Sequence, residues 1–490
     1  MLEENRESLY AAFKSKDARF DGRFFVGVAS TGIYCRPVCR AKLPKPENCT
    51  YYRTAAEAEQ AGLRPCLQCR PELAPGFAPV DAAASMARRA AKLIEEDCNN
   101  DDGLAAIADK LGCTDRHLRR VFAEEYHVSP VEYRQTCRLL LAKSLLTDTA
   151  LSVTDVAMAS GFGSLRRFND LFKKQYRLAP TALRKQLSVS GGKAGDSIIL
   201  ALGYRPPYEW ERMLEFLRLR AIPGVETVKD GVYSRTVCLP AKDGMRLKGW
   251  IQAADRPGRN LLSVTVSASL LPVLPAVLNR VRHLFDLYCE PEAVREALQC
   301  MDGIKPGLFI PGIRVPGCFD AFEMSVRAVL GQQISVKAAS TLAGRLAGNF
   351  GGRADTGIEG LRYIFPSPDR IAALEQPVED RLGPLGITGA RARTIRALAE
   401  MFNGSPMDFE LCTQPEEEIK RLTALPGIGP WTAHYIAMRA LGWTDAFLET
   451  DLGVRKALAP RGPREILALA QQWRPWRAYA TLCLWNQEGE

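Results

Sequence analysis

The chain has 490 residues, which is enough for three or four domains that each bury their own core. Charged residues make up 25% of the chain, and the formal net charge of +9 indicates a soluble protein with a mild attraction to polyanions. Composition excludes a membrane-spanning helix, because the most apolar stretch, at 269–278, is broken by Pro272 and Pro275. No charged leader with an apolar core opens the chain, so we expect a cytoplasmic protein.

Two short cysteine pairs lie near the start, C-x3-C in GIYCRPVCRA and C-x2-C in RPCLQCRP. Each pair can reach one tetrahedral ion, and the loop between them can bring the pairs together, as a zinc site with four thiolate ligands requires. One Zn²⁺ would fold a segment that is too short for a large core. The alternatives are unrelated buried thiols or a disulfide framework, and a reducing cytoplasm disfavours the latter. The predicted metal ligands are Cys35, Cys39, Cys66 and Cys69.

Two changes in composition mark domain boundaries. The stretch PELAPGFAPV at 71–80 is rich in proline, and SVSGGKAGD at 188–196 is typical of a flexible linker. The predicted fold class is therefore multidomain, mainly α with α+β parts. The predicted segments are a four-cysteine zinc domain at 1–78, a helical DNA-binding domain at 79–187, the linker at 188–196, a mixed α/β domain with a small sheet at 197–312 and a helical domain at 313–490.

The second segment contains two similar pairs of amphipathic helices. The first pair, at 104–126, repeats apolar residues every three or four positions, turns at Gly112 and offers Thr114 as the cap of its second helix. The second pair, at 152–176, repeats this arrangement with Ser164 as the cap. One such hairpin could present only a solvated charged face, but the duplication favours two helix-turn-helix units that read double-stranded DNA. The exposed basic residues of the second helices are Arg116, Arg119, Arg120, Arg166, Arg167, Lys173 and Lys174.

The front half resembles known families along two stretches. The run GFGSLRRFNDLFKKQYRLAPTALRK resembles the AraC-type transcription activators, and FFVGVASTGIYCRPVCRA with AGLRPCLQCRPE resembles the zinc domain of the Ada family of bacterial methylation-damage sensors. The resemblance implies that Cys35 accepts a methyl group from a DNA methylphosphotriester while it remains a zinc ligand. The P-C-H-R motif of that family's second methyltransferase domain does not occur in the chain, so repair at guanine O6 is not predicted.

Methyl transfer to a zinc-bound thiolate is chemically reasonable, because the thiolate is deprotonated at neutral pH and still nucleophilic. Methylation would change the formal charge of a Zn²⁺ ion with four thiolates from about −2 to about −1. Repulsion from DNA phosphate would then fall. We expect methylation to tighten binding to promoter DNA and to activate transcription, with RNA polymerase as a partner.

A second chemical signature lies in LPGIGPWTAHYIAMRAL at 425–441. Backbone N–H groups of its glycine-rich turn, at Gly427 and Gly429, can hold a DNA phosphate without reading sequence, although such a turn can also simply join packed helices. Asp451 follows 22 residues after Gly429, directly before a predicted helix, where its local role would be that of an N-cap. Turn and aspartate together resemble the helix-hairpin-helix DNA glycosylase superfamily. The stretches at 314–335 and 473–485 further resemble 3-methyladenine DNA glycosylase II.

This resemblance extends from the predicted linker to the end of the chain. It implies hydrolysis of the N-glycosidic bond of alkylated bases such as 3-methyladenine in duplex DNA, with Asp451 stabilising the cationic sugar of the transition state. It also places Trp431, Tyr435 and Trp485 around the extruded base, where aromatic faces attract a cationic purine; the alternative for these rings is core packing. The resemblance also implies that Gln333 occupies the position of the wedge that fills the gap left by a flipped base, where the related enzyme carries an apolar residue.

Two absences define the expected chemistry. Lyase-type relatives carry a lysine after the hairpin, where this chain has Pro430 and Trp431, so a monofunctional hydrolase is predicted. Iron-sulfur relatives carry four close terminal cysteines, and only Cys483 lies there, so no iron-sulfur cluster is expected. The leading hypothesis is a cytoplasmic, nucleoid-associated bacterial protein that is methyl acceptor, transcription activator and alkylbase glycosylase in one. The alternatives are a purely regulatory DNA-binding protein with an inactive glycosylase-like domain, and a front half that is a non-reactive zinc module.

Overall fold

The chain divides into two compact units. The first comprises Met1–Pro206, Leu239–Leu247 and Asp255–Asn279, and the second comprises Pro207–Cys238, Lys248–Ala254 and Arg280–Glu490. The predicted boundary near residue 78 and the predicted linker, apart from its last residue, lie outside the described residues. None of the helices that the structure describes combines the length and hydropathy needed to cross a bilayer. The computed structural model describes residues 6–17, 20–74, 86–99, 103–186, 196–241, 244–404 and 415–489.

Residues 6–17 and 20–74 form a small four-stranded sheet flanked by two helices. The strand order is β3-β1-β2-β4; β1 is antiparallel to β2 and β3, whereas β4 runs parallel to β2. A compact apolar core beneath the sheet includes Phe13, Phe24, Val26 and Tyr51. The elements are α1 (Arg6–Ser15), β1 (Phe25–Val28), β2 (Ile33–Cys35), β3 (Cys49–Tyr52), α2 (Ala55–Gln60) and β4 (Arg64–Pro65).

Residues 86–99 and 103–186 contain seven helices: α3 (Met86–Glu96), α4 (Leu104–Lys110), α5 (Asp115–Tyr126), α6 (Pro130–Asp148), α7 (Val153–Ala159), α8 (Leu165–Tyr176) and α9 (Pro180–Gln186). Both predicted caps are confirmed, because the Thr114 hydroxyl accepts from the His117 N–H and the Ser164 hydroxyl accepts from the Arg167 N–H. Apolar residues four apart are buried on the inner faces of α5 and α8, and this burial leaves the opposite faces to solvent. The two predicted helix-turn-helix units are therefore present, joined by α6.

The next segment contains five strands and three helices among its described residues: β5 (Ser197–Gly203), α10 (Trp210–Arg220), β6 (Glu226–Lys229), β7 (Val232–Pro240), β8 (Arg246–Arg256), β9 (Leu261–Ser267), α11 (Leu274–Leu284) and α12 (Pro291–Leu298). In the first unit β5 pairs antiparallel with β9, from Ser197 opposite Ser267 to Gly203 opposite Leu261. In the second unit β7 lies between β6 and β8, and β6 and β7 are antiparallel.

The remainder of the second unit is a helical bundle built around α13. Almost all of α13 is buried, from Phe322 to Leu330, because it packs against α14, α17 and α19. Helix α19 continues into a π-helical turn, Ala437–Leu441. The elements are α13 (Ala321–Leu330), α14 (Val336–Phe350), β10 (Gly352–Arg353), β11 (Tyr363–Ile364), α15 (Pro368–Ala372), α16 (Val378–Leu382), α17 (Gly389–Gly404), α18 (Pro415–Thr423), α19 (Pro430–Ile436), α20 (Leu452–Ala457), α21 (Pro463–Leu469) and α22 (Arg477–Trp485).

Candidate metal centre and candidate active site

The four predicted ligands meet at one end of the N-terminal sheet. Because β2 and β4 run parallel, with Tyr34 opposite Pro65, the next residues along each strand, Cys35 and Cys66, emerge side by side. All four sulfurs lie within 4.8 Å of one another, and three of the four residues are buried. Zn–S bonds of about 2.3 Å place tetrahedral sulfurs about 3.8 Å apart, so this group fits a single zinc ion. Hydrogen bonds among the sulfurs raise the pKa of Cys35 and lower the pKa of Cys66.

A buried arginine supports the loop of the second cysteine pair. The Arg36 backbone N–H donates to Cys69 Sγ at 3.3 Å, and its guanidinium donates to the Cys69 carbonyl at 3.0 Å. The same guanidinium forms a two-pronged ion pair with Asp21, with Nε to Oδ1 at 2.8 Å. Arg36 and Asp21 are both nearly inaccessible to solvent, so this pair fixes the cysteine loops from inside.

Buried ion pairs attach this metal centre to helix α6. Lys143 is 1% exposed; its ammonium contacts the Glu72 carboxylate and donates to the Cys66 carbonyl at 3.4 Å. Arg70, directly after the last ligand, holds Asp148 through two hydrogen bonds of 2.6 and 2.8 Å. Although burial opposes it, Lys143 and Arg70 hold the pKa of Glu72 below its usual range. Helix α6, which joins the two helix-turn-helix units, is thus anchored beside two of the ligands.

A further, partly buried carboxyl, that of Glu59, links the first cysteine to α6. Tyr34, which precedes Cys35, donates its hydroxyl proton to Glu59 Oε1 at 2.9 Å, and Thr136 of α6 donates to Glu59 Oε2 at 3.0 Å. Burial raises the pKa of Glu59 to about 7, despite these donors and the nearby Lys143. Each of these contacts connects a position next to a ligand with the same helix.

The seven predicted basic residues of the two recognition helices are all exposed. In α5 two of them are paired with acids on the same helix, Arg119 with Asp115 at 3.0 Å and Arg120 with Glu124 at 3.1 Å. Helix α5 carries three arginines and three acids, whereas α8 carries two arginines, two lysines and one aspartate. The second helix therefore presents the more positive face.

The predicted hairpin joins α18 to α19. Gly427 adopts a left-handed φ of 84°, and a Cβ there would lie 2.2 Å from Thr394 Oγ1, so only glycine fits this turn. Gly427 and Gly429 are exposed, whereas Ile428 between them is buried in the core. The turn therefore displays its backbone to solvent while its middle side chain anchors it.

Asp451 is held by four neutral donors. As the N-cap of α20 it accepts through Oδ1 from the backbone N–H groups of Gly453 and Val454, at 2.9 and 3.2 Å. The Trp485 indole N–H donates to the same oxygen at 2.8 Å, and the Trp431 indole N–H donates to Oδ2 at 3.1 Å. Asp451 is therefore both the N-cap of α20 and a hydrogen-bond partner of two of the predicted pocket aromatics. Oδ2 accepts the fewer bonds and retains the greater acceptor capacity.

The three predicted pocket aromatics lie together beside this carboxylate. Trp431 and Tyr435, four residues apart on α19, stack with ring centroids 5.2 Å apart and planes within 7°. Trp485 lies 6.4 Å from Tyr435 and stacks on Phe216 of α10 at 6.3 Å. None of the four rings is fully buried, so the group forms a partly open aromatic cleft rather than a closed core.

Arginines line one side of this cleft. The guanidinium of Arg220 lies 3.8 Å from the Phe216 ring centroid, and that of Arg439 lies 4.8 Å from it. Arg439, on the π-helical turn, donates to the Tyr435 hydroxyl at 2.9 Å. Burial alone would raise the pKa of Tyr435, but Arg439, Arg220 and Arg327 outweigh it and lower that pKa. The phenol oxygen is therefore held in an electropositive corner of the cleft.

Comparison with known families assigns four successive parts of the chain. The matching families are the metal binding domain of Ada at residues 8–72, a helix-turn-helix domain at 107–186, the AlkA N-terminal domain at 199–320 and the HhH-GPD superfamily of base excision DNA repair proteins at 326–461.

Curated relatives extend the match over the full length. The chain is 37% identical to the probable bifunctional transcriptional activator/DNA repair enzyme AlkA of Mycobacterium tuberculosis, over 99% of this chain and 97% of the relative. This chain belongs to the bifunctional transcriptional activator/DNA repair enzyme family. It is also 38% identical to DNA-3-methyladenine glycosylase 2 of Escherichia coli, over 59% of this chain and 97% of the relative. A third relative, the bifunctional activator/repair enzyme AdaA of Bacillus subtilis, is 30% identical over 36% of this chain and 81% of the relative.

Membership of this bifunctional family agrees with what the sequence predicts for the domain types. The chain combines an Ada-type zinc-binding domain, a helix-turn-helix DNA-binding domain and a DNA glycosylase domain of the HhH-GPD superfamily. These matches assign domains and not the roles of individual residues such as Cys35 and Asp451.

Sequence reasoning missed several residues at these sites. Phe216 and Arg220 are spaced four apart on α10, a helical pattern that could have placed them on one face but not in the cleft. Arg439 follows Tyr435 by four residues, which is the same signal on a helix already assigned. Lys143 and Gln332 offered no local signal, because their partners lie 71 and 95 residues away.

Proposed function

We propose that this protein accepts a methyl group from DNA methylphosphotriesters at Cys35, activates transcription when methylated, and hydrolyses the N-glycosidic bond of alkylated bases such as 3-methyladenine. Its partners are alkylated duplex DNA, promoter DNA and RNA polymerase, in the bacterial cytoplasm and on the nucleoid. The proposed domain boundaries remain those predicted from the sequence: 1–78, 79–187, the linker 188–196, 197–312 and 313–490.

The observation that carries the glycosylase proposal is the setting of Asp451. A carboxylate held by two indole N–H groups and a helix N-terminus, at the edge of an aromatic cleft, is suited to stabilise positive charge on an adjacent sugar. In the proposed reaction the bond between C1′ and the base breaks, and the base takes the electron pair. An N-alkylated purine departs as a neutral molecule, because it enters as a cation.

The oxygen of a water molecule then forms a bond to C1′, and the proton that this oxygen releases passes to bulk water. Oδ2 of Asp451 is the oxygen proposed to face the sugar and to orient this water, because Oδ1 already accepts three hydrogen bonds. Pro430 and Trp431 follow the hairpin in place of a lysine, which supports a monofunctional hydrolase without a Schiff-base intermediate. The exposed turn at Gly427 and Gly429 is the proposed grip on a DNA phosphate.

The aromatic cleft supports recognition of an extruded, electron-poor base. Trp431 and Trp485 each donate an indole N–H to Asp451, and Tyr435 stacks on Trp431, so the three rings lie together beside the carboxylate. Stacking on such faces depends on the π-face of the base rather than on its hydrogen-bonding edge. We therefore propose loose shape selection and several alkylated bases as substrates.

The methyl-acceptor proposal rests on the four converging sulfurs. In the transfer, Cys35 Sγ forms a bond to the methyl carbon while the carbon–oxygen bond to the phosphate breaks, and the oxygen leaves as part of a phosphodiester anion. Zinc, when bound, keeps the sulfurs deprotonated at neutral pH. Transfer makes the centre less negative, which favours approach to DNA. The acceptor reacts once per molecule, because no step of the proposed reaction breaks the carbon–sulfur bond of the thioether and restores the Cys35 thiolate.

One experiment separates the two chemistries. Wild-type protein, Cys35→Ala and Asp451→Asn are incubated with duplex DNA that carries methylphosphotriesters and 7-methylguanine, and both the protein mass and the released base are measured. We expect Cys35→Ala to lose the methyl mass alone. Asp451→Asn should lose about 10³-fold in base release and keep the methyl mass, since a preorganised charge of this kind contributes about 10²–10³ in rate.

The matched control is Glu449→Gln, a neighbouring acid that should retain base release. Absence of base release from the wild-type protein would instead favour a regulatory protein with an inactive glycosylase-like domain. Absence of any methyl mass on wild-type protein would favour a non-reactive zinc module. Loss of both activities in either single variant would contradict two independent sites.

A further inference from the structure

The turn between α13 and α14 has an unusual backbone. Gln333 adopts a left-handed φ of 56°, a conformation that is strained for a residue with a Cβ, and its side chain is exposed. Its neighbour Gln332 is partly buried. A strained residue persists only where its surroundings hold it, so the contacts of this turn are informative.

Gln332 ties the turn to the hairpin. Its side-chain Nε2 donates to the Gly427 carbonyl at 2.9 Å and to Thr432 Oγ1 at 3.1 Å. A primary amide has two N–H donors, so each contact uses one of them. Both acceptors belong to the hairpin and the first turn of α19, 95 and 100 residues further along the chain.

Helix α17 braces the same junction from a third side. The Arg391 guanidinium donates to the backbone carbonyl of Gln332. Three residues on, the Thr394 hydroxyl donates to the Pro426 carbonyl of the hairpin at 2.8 Å. The turn, the hairpin and α17 therefore meet in one hydrogen-bonded junction, with Gln332 at its centre.

We propose that Gln332 is a positioning residue for base extrusion: it locks the turn that presents Gln333 at a fixed distance from the phosphate-binding hairpin. This inference rests on the proposed glycosylase function and on Gln333 as the wedge. Extrusion needs a DNA phosphate gripped at one point and the base stack filled at another, because unpairing and unstacking the base are unfavourable. A rigid spacing between these two points allows the grip on the backbone to drive the wedge into the stack.

The hydrogen-bond acceptors around position 332 explain why a glutamine suits it. A lysine would bring a charge beside the Gly427 carbonyl and the phosphate site, and a glutamate would place acceptors opposite acceptors. An apolar residue would leave the Gly427 carbonyl without this donor. The neutral amide supplies two donors and leaves the electrostatics of the hairpin to its backbone N–H groups.

The test compares a paired with an unpaired lesion. Gln332→Met keeps length and volume but removes both donors, and single-turnover base release is measured on 7-methylguanine opposite cytosine and opposite a tetrahydrofuran abasic analogue. In the second duplex the lesion has no base-pairing partner, so little free energy of unpairing remains to be overcome. We expect the variant to lose about 10- to 100-fold on the paired lesion, as misplacement of about 1 Å does, and less than about threefold on the unpaired lesion.

Gln471→Met, the same change on an exposed 3₁₀ turn, is the control and should match wild type on both duplexes. An equal loss on both duplexes, or no loss on either, would overturn the positioning role. Gln333→Ala should reproduce the selective loss on the paired lesion; if it leaves both rates unchanged, the inference is wrong because the turn carries no wedge. Wild-type protein inactive on both duplexes would instead contradict the glycosylase proposal itself.

Discussion

The Cys35 centre and the Asp451 centre use different means to hold the atoms that we propose to react. Around the four sulfurs, buried opposite charges pair with one another, as Arg36 with Asp21 and Lys143 with Glu72. Around Asp451, every hydrogen bond comes from a neutral indole or backbone N–H group among the described contacts. The first arrangement secures a rigid framework whose internal charges are balanced, and the second orients a carboxylate without neutralising it.

This difference matches the two proposed chemistries. A sulfur that is methylated once needs a stable framework that transmits its change of state, and ion pairs to α6 supply such a connection. A carboxylate that must stabilise a cation at every turnover has to keep its full negative charge. A neighbouring lysine or arginine would weaken its field on the sugar, whereas neutral donors fix its position at little cost to that field.

The largest effect is expected from a substitution that breaks the buried ion pair between Lys143 and Glu72. Lys143→Met removes the ammonium from Glu72 and from the Cys66 carbonyl, and breaking a buried pair in this way costs about 3–5 kcal/mol. We expect faster amide hydrogen exchange in α6 (Pro130–Asp148). Lys45→Met, in an ion pair whose side chains are 79% and 66% exposed, should change exchange little.

A compensating variant sharpens the same prediction. The double variant Lys143→Met with Glu72→Leu removes the uncompensated carboxylate and should recover much of the lost protection, because two apolar groups can replace a buried pair at little cost. Exchange in α6 that is unaffected by Lys143→Met would show that this ion pair does not anchor the helix.

The next effect concerns Asp286 in the second unit, a partly buried carboxyl that accepts hydrogen bonds from neutral donors and interacts electrostatically with Arg314. Asp286 accepts from the Tyr479 hydroxyl at 2.8 Å and the Val315 N–H at 3.1 Å, yet burial raises its pKa to about 6. Because the folded pKa lies above the unfolded value of about 3.9, this group's contribution to stability is complete below pH 4 and is lost as pH rises through 6. The free energy of unfolding should fall by about 3 kcal/mol over that window.

Tryptophan fluorescence can follow this unfolding selectively, because all seven tryptophans lie between Trp210 and Trp485 in the second unit. Denaturant titrations at pH 4, 5, 6 and 7 should show the decline in wild type and a flatter profile in Asp286→Asn. An equally steep profile in the variant would assign the pH dependence to other groups.

A smaller effect tests the neutral donors at the active centre. Trp485→Phe keeps an aromatic ring but removes the indole N–H from Asp451 Oδ1, and a hydrogen bond to a charged group contributes about 1.5–3 kcal/mol. We expect base release from a 7-methylguanine duplex to fall about 10- to 100-fold, with the larger change in kcat. Trp443→Phe, which leaves the carboxylate contacts intact, should retain near-normal release. Equal rates for Trp485→Phe and wild type would mean that the indole does not orient the carboxylate.

The smallest effect compares the two recognition helices. Lys173→Gln in α8 should weaken binding to duplex DNA a few-fold and reduce the slope of log affinity against log salt by about one, as the loss of one phosphate contact does. Arg120→Gln in α5 should change the slope less, because Glu124 already pairs with this arginine. Fluorescence anisotropy in a salt series measures both slopes. Equal slopes in the two variants would show that the more positive face of α8 carries no extra contact.

What the sequence by itself determined is local. The short spacings of Cys35 from Cys39 and of Cys66 from Cys69 predict the ligands of one tetrahedral ion. Thr114 and Ser164 cap their helices, and Gly427 adopts the left-handed backbone conformation of its turn. Each of these follows from a few consecutive residues, because dihedral preferences, capping and short ligand loops act within about one helical turn.

Only the tertiary structure decided which distant residues meet. Phe216 stacks on Trp485 and Gln332 reaches the Gly427 carbonyl because helices from separate parts of the chain pack together. Lys143 is likewise buried beneath Cys66 by the packing of α6. Local sequence patterns do not predict such contacts. They predict that a polar side chain on a helix is exposed, and only a neighbouring element can bury that side chain and supply its hydrogen-bond partner.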